Sequence, residues 1–176
     1  MFLKYPIIVL LFLILAILQV SFLVHFSIIG ITPNLVFILF FILIFFSCLQ
    51  GNEYHQGIFY AIIAGIILDV LSSFSFGYSA VSLLLIYLLI KIVIYFLKEI
   101  HNEYILFYFI PIFLISFIFY NILMYIFFNF PYLRFNFTKG ILIELVYNLI
   151  FVLFVFFIYK YINNKSQKDR QLKLFN

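Results

Sequence analysis

Between Lys4 and Glu53 the chain carries no Asp, Glu, Lys or Arg, and a second uncharged stretch runs from Glu103 to Arg134. A helix takes ~20 apolar residues to cross a hydrocarbon core about 30 Å thick, so the first stretch holds two crossings and the second holds one. A barrel also satisfies its backbone in lipid, but barrel strands alternate polar and apolar residues. These runs are apolar on every side and predict helices. Composition points the same way. With 68% hydrophobic and 9% charged residues, against roughly 25% charge in a soluble domain, too few polar side chains exist to build a water-facing shell. The fold class is therefore all-α: a polytopic membrane bundle of about six transmembrane helices.

Spans are predicted at Pro6 to Val24, Pro33 to Leu49, Gly57 to Ser72, Tyr78 to Leu97, Tyr104 to Phe128 and Gly140 to Ile162. The first is read as a retained span, since it is too long for a signal peptide and lacks a small-x-small cleavage site. Pro33 fits the first turn of the second helix, with Thr32 as its N-cap. Ser72, Ser73, Ser75 and Gly77 predict a tight turn between spans three and four. Pro111 should kink span five or mark a later start for it. A single transmembrane domain over 1–162 is followed by a basic tail over 163–176, too polar and too small to fold alone.

Cytoplasmic loops retain Lys and Arg. Six crossings put Lys4, Lys98, Lys160, Lys165, Lys168, Arg170 and Lys173 on one side and leave Arg134 and Lys139 on the other. Both termini are predicted to be cytoplasmic. The formal charge of +4 suits a solvated end beside anionic lipid better than a nucleic-acid site. The abundance of Phe, Ile, Tyr, Asn and Lys is read as a base-composition bias.

Span three holds the most informative pattern. Gly57, Ala61, Gly65 and Asp69 recur every four residues along one ridge, and small residues at that spacing let a second helix approach closely where lipid gives no hydrophobic incentive. The ridge is either an intramolecular packing seam or a seam for another protein's helix. Asp69 ends span three and Glu144 lies near the start of span six, on the side that carries Arg134 and Lys139. Carboxylates in a membrane are costly and are usually paired, turned inward or functional. The reading is a polar cluster in which Asp69 and Glu144 hold spans three and six together, with Arg134 and Lys139 as ion-pair partners. Against it stands the plainer reading that both carboxylates reach interfacial water.

Lys91, about two turns from the end of span four, is placed to snorkel to the headgroups. Glu144 and Asn148 share a face of span six beside Tyr147. An asparagine there suits an interhelical hydrogen bond worth about 0.5 to 2 kcal/mol. One cysteine, Cys48, rules out an internal disulfide and a cysteine metal cluster. His25, His55 and His101 fall near loops on opposite sides, so they do not gather on one metal. No phosphate loop, nucleophile elbow or His-Glu zinc helix is present. The expectation is a protein without catalysis and without a cofactor.

The run Gly57-Ile-Phe-Tyr-Ala-Ile-Ile-Ala-Gly65-Ile-Ile-Leu-Asp69-Val-Leu, followed by Phe76-Gly77-Tyr-Ser-Ala-Val-Ser-Leu, resembles the central signature of the MreD family of rod shape-determining membrane proteins. Gly65, Asp69 and Gly77 match in type and spacing. Pro33-Asn34-Leu35 is similar to the family's Pro-Asp-Leu, departing at Asn34, and Leu145-Val-Tyr147-Asn148 resembles its final-helix pattern. The resemblance in hydropathy covers nearly the whole chain, with its specific residues between Gly57 and Ser82. It implies a member of the cell-elongation machinery in the bacterial inner membrane that regulates lateral peptidoglycan synthesis. The partners implied are an MreC-like bitopic protein, an MreB-like cytoskeletal protein, and the elongation transpeptidase and glycosyltransferase.

In size and helix number the chain also resembles the substrate-binding components of energy-coupling-factor vitamin transporters. Those would carry a small-x-x-x-small motif in the first span. Here Ala16 has no second small residue four away, which weighs against that alternative.

Overall fold

The computed structural model describes residues 4–28, 30–49, 54–71, 76–97, 105–128 and 137–174. Six α-helices follow one another: α1 Lys4–Ser21, α2 Leu35–Leu49, α3 Tyr54–Leu71, α4 Tyr78–Phe96, α5 Ile105–Phe128 and α6 Phe137–Leu174. A short 3₁₀ turn, Leu23–Phe26, follows α1. No strand is present among the described residues; an isolated bridge pairs Ile28 with Ile31. Gly30 turns the chain there at φ +76°, a left-handed conformation that side chains with a Cβ resist.

Among the described residues, three stretches are long and apolar enough to cross a membrane: Tyr78–Phe96, Ile105–Phe127 and Gly140–Ile158. The described apolar stretches of α1, α2 and α3 are Tyr5–Ser21, Leu35–Leu49 and His55–Leu71. These six elements fall where the sequence predicts spans.

The helices differ in what surrounds them. α2 touches α1, α3, α4 and α6, and its Phe37, Phe40, Phe41, Ile44 and Phe45 are wholly buried. It is the central helix, so its apolarity all round reflects protein neighbours on every side. The outer helices are apolar on their exposed faces as well. On α6, Leu142, Val146, Ile150 and Phe154 repeat every four residues and all lie exposed. A water-facing bundle would bear polar residues there, whereas lipid accepts these side chains without cost.

Two seams hold the bundle. In the first, a Cβ added at Gly65 would fall on the backbone of Ala80, and one added at Gly57 would fall on the Tyr87 ring. Ala61 and Ala64 are fully buried along the same helix, which brings α3 and α4 into the closest association in the molecule. The second seam is aromatic. Phe41 meets Phe109 and Phe113 edge-on at centroid distances of 5.3 and 5.1 Å, and Phe45 meets Phe109 at 5.0 Å. Phe156 of α6 closes on Phe109 at 4.5 Å.

Several predicted details are corrected. Pro33 precedes α2 and the cap is Asn34, not Thr32: the Phe37 N–H donates to Asn34 Oδ1 at 3.0 Å. Only the residue immediately before the first helical turn can reach that third amide. Pro111 lies inside α5, six residues after its start, so it does not mark a later beginning. The backbone over 163–174 is helical as a continuation of α6, not as a unit that folds alone. It continues a helix already formed, so the cost of nucleation does not fall on it.

Candidate functional site

Buried Asn34, Asp69, Ser79 and Asn148 gather at one end of the bundle, where α1 and α3 finish and α2, α4 and α6 begin. Each arriving helix presents amide N–H groups that have no partner within the helix. In lipid these must be satisfied by protein. The sequence supplies side chains for the purpose.

At α4 the donor groups meet Asp69. The Gly77 N–H donates to Asp69 Oδ2 at 2.8 Å and the Ser79 N–H donates to Oδ1 at 2.9 Å, and Asp69 is only 3% exposed. A carboxylate at the C-terminal end of α3 is poorly placed for its own helix dipole. The start of α4 supplies the compensating positive end together with two charge-assisted hydrogen bonds. Gly77 makes this geometry available by adopting φ +103°, a conformation that favours glycine.

At α2 the capping groups come from three places in the chain. Asn34 caps its own helix through its side chain. Its backbone N–H donates to Asn148 Oδ1 of α6 at 2.7 Å, and the Leu35 N–H donates to Gln19 Oε1 of α1 at 3.0 Å. A further bond from Tyr147 Oη to the Phe26 carbonyl, 2.9 Å, ties α6 to the turn after α1. The Asn34–Asn148 contact realises the interhelical hydrogen bond that the sequence predicts for Asn148.

Tyr120 of α5 is buried close to both capped ends. It approaches Ser79 and Asn34 and lies in the field of both Glu144 and Asp69. Glu144 is half-buried, and it approaches Asn148 one turn along the same helix face. Ser79 Oγ and Asn148 Nδ2 are buried and make no hydrogen bond among the described residues.

Asp69 and Glu144 both lie at this end of the bundle, and the bonds of Asp69 are not those predicted. Asp69 is bonded to the amides of α4, so it joins spans three and four; the predicted tie between spans three and six is made by neither carboxylate directly. Arg134 lies outside the described residues, and the side chain of Lys139 does too, so the expected ion pairs fall there. The Gly57–Ala61–Gly65–Asp69 ridge is occupied by α4 of the same chain. This excludes a seam open to another protein's helix, because the two backbones already touch at Gly65 and Ala80. Lys91 is half-buried on α4, far along the helix from the cluster, in electrostatic reach of Cys48 on α2. His25 and His55 stand at the end of α1 and the start of α3, and His101 lies outside the described residues.

Sequence reasoning passed over Gln19, Ser79 and Tyr120. Gln19 and Tyr120 carry a weak signal, as polar atoms in otherwise apolar helices near predicted ends. Ser79 carries none beyond its place next to a turn. Compared with known proteins, the chain matches no family model, no curated protein and no solved structure.

Proposed function

We propose that this chain is a non-catalytic inner-membrane component of the bacterial cell-elongation complex, akin to the MreD family, acting on cell shape and lateral peptidoglycan synthesis through helix contacts. One observation carries the reading. The three segments through which the sequence resembles that family lie far apart in the chain and converge on one end of the bundle. Asp69 bonds the start of α4 at Gly77 and Ser79, and Asn34 bonds Asn148. That residues of the resembling segments bond one another at this end supports reading them as a unit.

In this reading all six helices cross the inner membrane, both termini are cytoplasmic, and the polar end faces outward. An MreC-like bitopic protein meets lipid-facing side chains, since the small-residue ridge is filled. The MreB-like protein, the transpeptidase and the glycosyltransferase are the further partners. The test is co-purification with the MreC-like protein and rescue of rod shape in cells depleted of the endogenous protein. Round cells and no co-purification from a well-folded chain would refute it. Labelling from each side of the bilayer tests the topology separately.

A second reading, a vitamin-type substrate-binding subunit of a membrane transporter, draws on the inward-facing Glu144 and the unbonded Ser79 Oγ and Asn148 Nδ2. A binder gains thermal stability by mass action, so a shift in Tm with one member of a vitamin panel would favour it.

A further inference from the structure

A helix face turned to lipid has no use for polar groups. Exposed Val81, Leu85, Leu88 and Ile92 run down α4 without one, as the exposed residues of α6 do. α5 departs from this pattern. Away from its buried Phe109, Phe113 and Ser116, Asn121 stands half-buried beside exposed Ile118, Ile122 and Tyr125. One N–H of its amide donates back to the Phe117 carbonyl at 3.0 Å. The other N–H and Oδ1 have no partner among the described residues. Ile122 and Ile126 lie exposed beyond it, still within the crossing stretch Ile105–Phe127. Water at Asn121 would wet those isoleucines as well, so with α5 in a bilayer the amide faces hydrocarbon, where unmet hydrogen bonds are costly.

Asn121 also falls in a repeat. Leu114, Ile118, Asn121 and Tyr125 are spaced four, three and four residues apart, and the alternation runs back to Pro111 and Phe107. That spacing keeps one face turned toward a neighbour crossing at about 20° with left-handed twist. Phe107, Ile118 and Tyr125 are 73, 47 and 46% exposed, so no described helix of the chain covers this face. A lone asparagine in such a seam costs stability and, on meeting its partner, fixes the register.

The amide specifies the occupant. Its Oδ1 accepts and its spare N–H donates, so an identical amide at the same depth satisfies both. Copies of one chain insert in one orientation. A twofold axis along the membrane normal then sets α5 parallel to α5 and brings the two Asn121 side chains level. A different protein would need a complementary group at that depth by coincidence.

We propose that α5 is a dimerisation helix, pairing with α5 of a second copy through Leu114, Ile118, Asn121 and Tyr125, with reciprocal Asn121 hydrogen bonds fixing the register. The proposal rests on α5 crossing a bilayer. It stands apart from the elongation-complex reading, since its test involves no elongation partner.

The test uses the whole purified chain in vesicles of phosphatidylcholine and phosphatidylglycerol. Donor and acceptor fluorophores fused to the C-termini of separate copies should show energy transfer that rises with the protein-to-lipid ratio. Asn121→Leu should weaken dimerisation about five- to thirtyfold, and Leu88→Ala on α4 should leave it unchanged. In a Cys48→Ser background, Ile118→Cys and Tyr125→Cys should each cross-link to their own counterpart on oxidation. Ile126→Cys, exposed on α5 but off the seam, should not. The cross-linking pattern is read with Asn121 in place, so it judges the seam even where Asn121→Leu impairs folding. The proposal is overturned if the chain stays monomeric at every ratio or if Asn121→Leu dimerises at least as tightly as the wild type. Cross-linking of Ile126→Cys as readily as Ile118→Cys would overturn it equally.

Discussion

The small-residue seam between α3 and α4 and the aromatic seam between α2 and α5 solve the same problem by opposite means. Inside lipid, burying an apolar side chain gains little, because the surrounding tails are as apolar as the core. What remains is dispersion, which falls steeply with any gap. The α3–α4 seam closes the gap by removing side chains at Gly57, Ala61 and Gly65, until α3 lies against the Ala80 backbone. The α2–α5 seam fills the gap with rings at Phe37, Phe41 and Phe45 opposite Phe109, Phe113 and Phe117. The first is intolerant of addition and the second of deletion. That contrast yields tests.

The largest effect is expected at Gly65. Gly65→Leu places atoms where the Ala80 backbone sits, and backbone cannot swing aside, so a loss of about 3 kcal/mol or more is expected. Thermal unfolding in detergent would read it. A stable Gly65→Leu protein would mean that α3 and α4 do not pack as described.

Next is Asp69→Ala, which strips two charge-assisted bonds from buried amides of α4. About 2 kcal/mol should be lost. Asp69→Asn should recover part of it, since one oxygen can still accept. If alanine and asparagine behave alike and both match the wild type, the carboxylate serves no capping role.

On the aromatic side, Phe113→Leu should cost only about 1 kcal/mol. The same change in a soluble core adds a transfer term that lipid removes. A loss as large as that of Gly65→Leu would erase the distinction between the seams.

The smallest effect should be Gly57→Ala. Its added Cβ meets the Tyr87 ring, a side chain that can shift, so a loss of about 1 kcal/mol or less is expected. A Gly57→Ala loss exceeding that of Gly65→Ala, measured under the same conditions, would mean that the Tyr87 ring yields less than the Ala80 backbone.

Much of this is legible in the sequence, though unevenly. The glycine ridge announces itself because glycine is scarce, with six in the chain. The Phe ladders have the same spacing of four, at 37, 41 and 45 and at 109, 113 and 117, yet they are lost among 28 phenylalanines. Reading phenylalanine as a base-composition bias discards a real periodicity. Asp69 and Asn148 are conspicuous as polar groups in oil, so their importance is readable. Their partners are not, because Gly77 and Ser79 take part through backbone amides that every residue possesses, and Asn34 lies more than a hundred positions from Asn148.

By itself, the sequence determines the helical class and the approximate placement of six elements, with stretches apolar enough to suit lipid. Long charge-free runs that are apolar on every side favour helices, in which each backbone group finds its partner within the segment. Only the tertiary structure decides that α2 is enclosed while α6 is bare on one side, that α4 occupies the glycine ridge, and that Asp69 caps α4. The reason is physical: where the medium is as apolar as the core, hydrophobic pattern ceases to tell inside from outside. Shape and hydrogen-bond geometry, which depend on all six helices at once, make the choice.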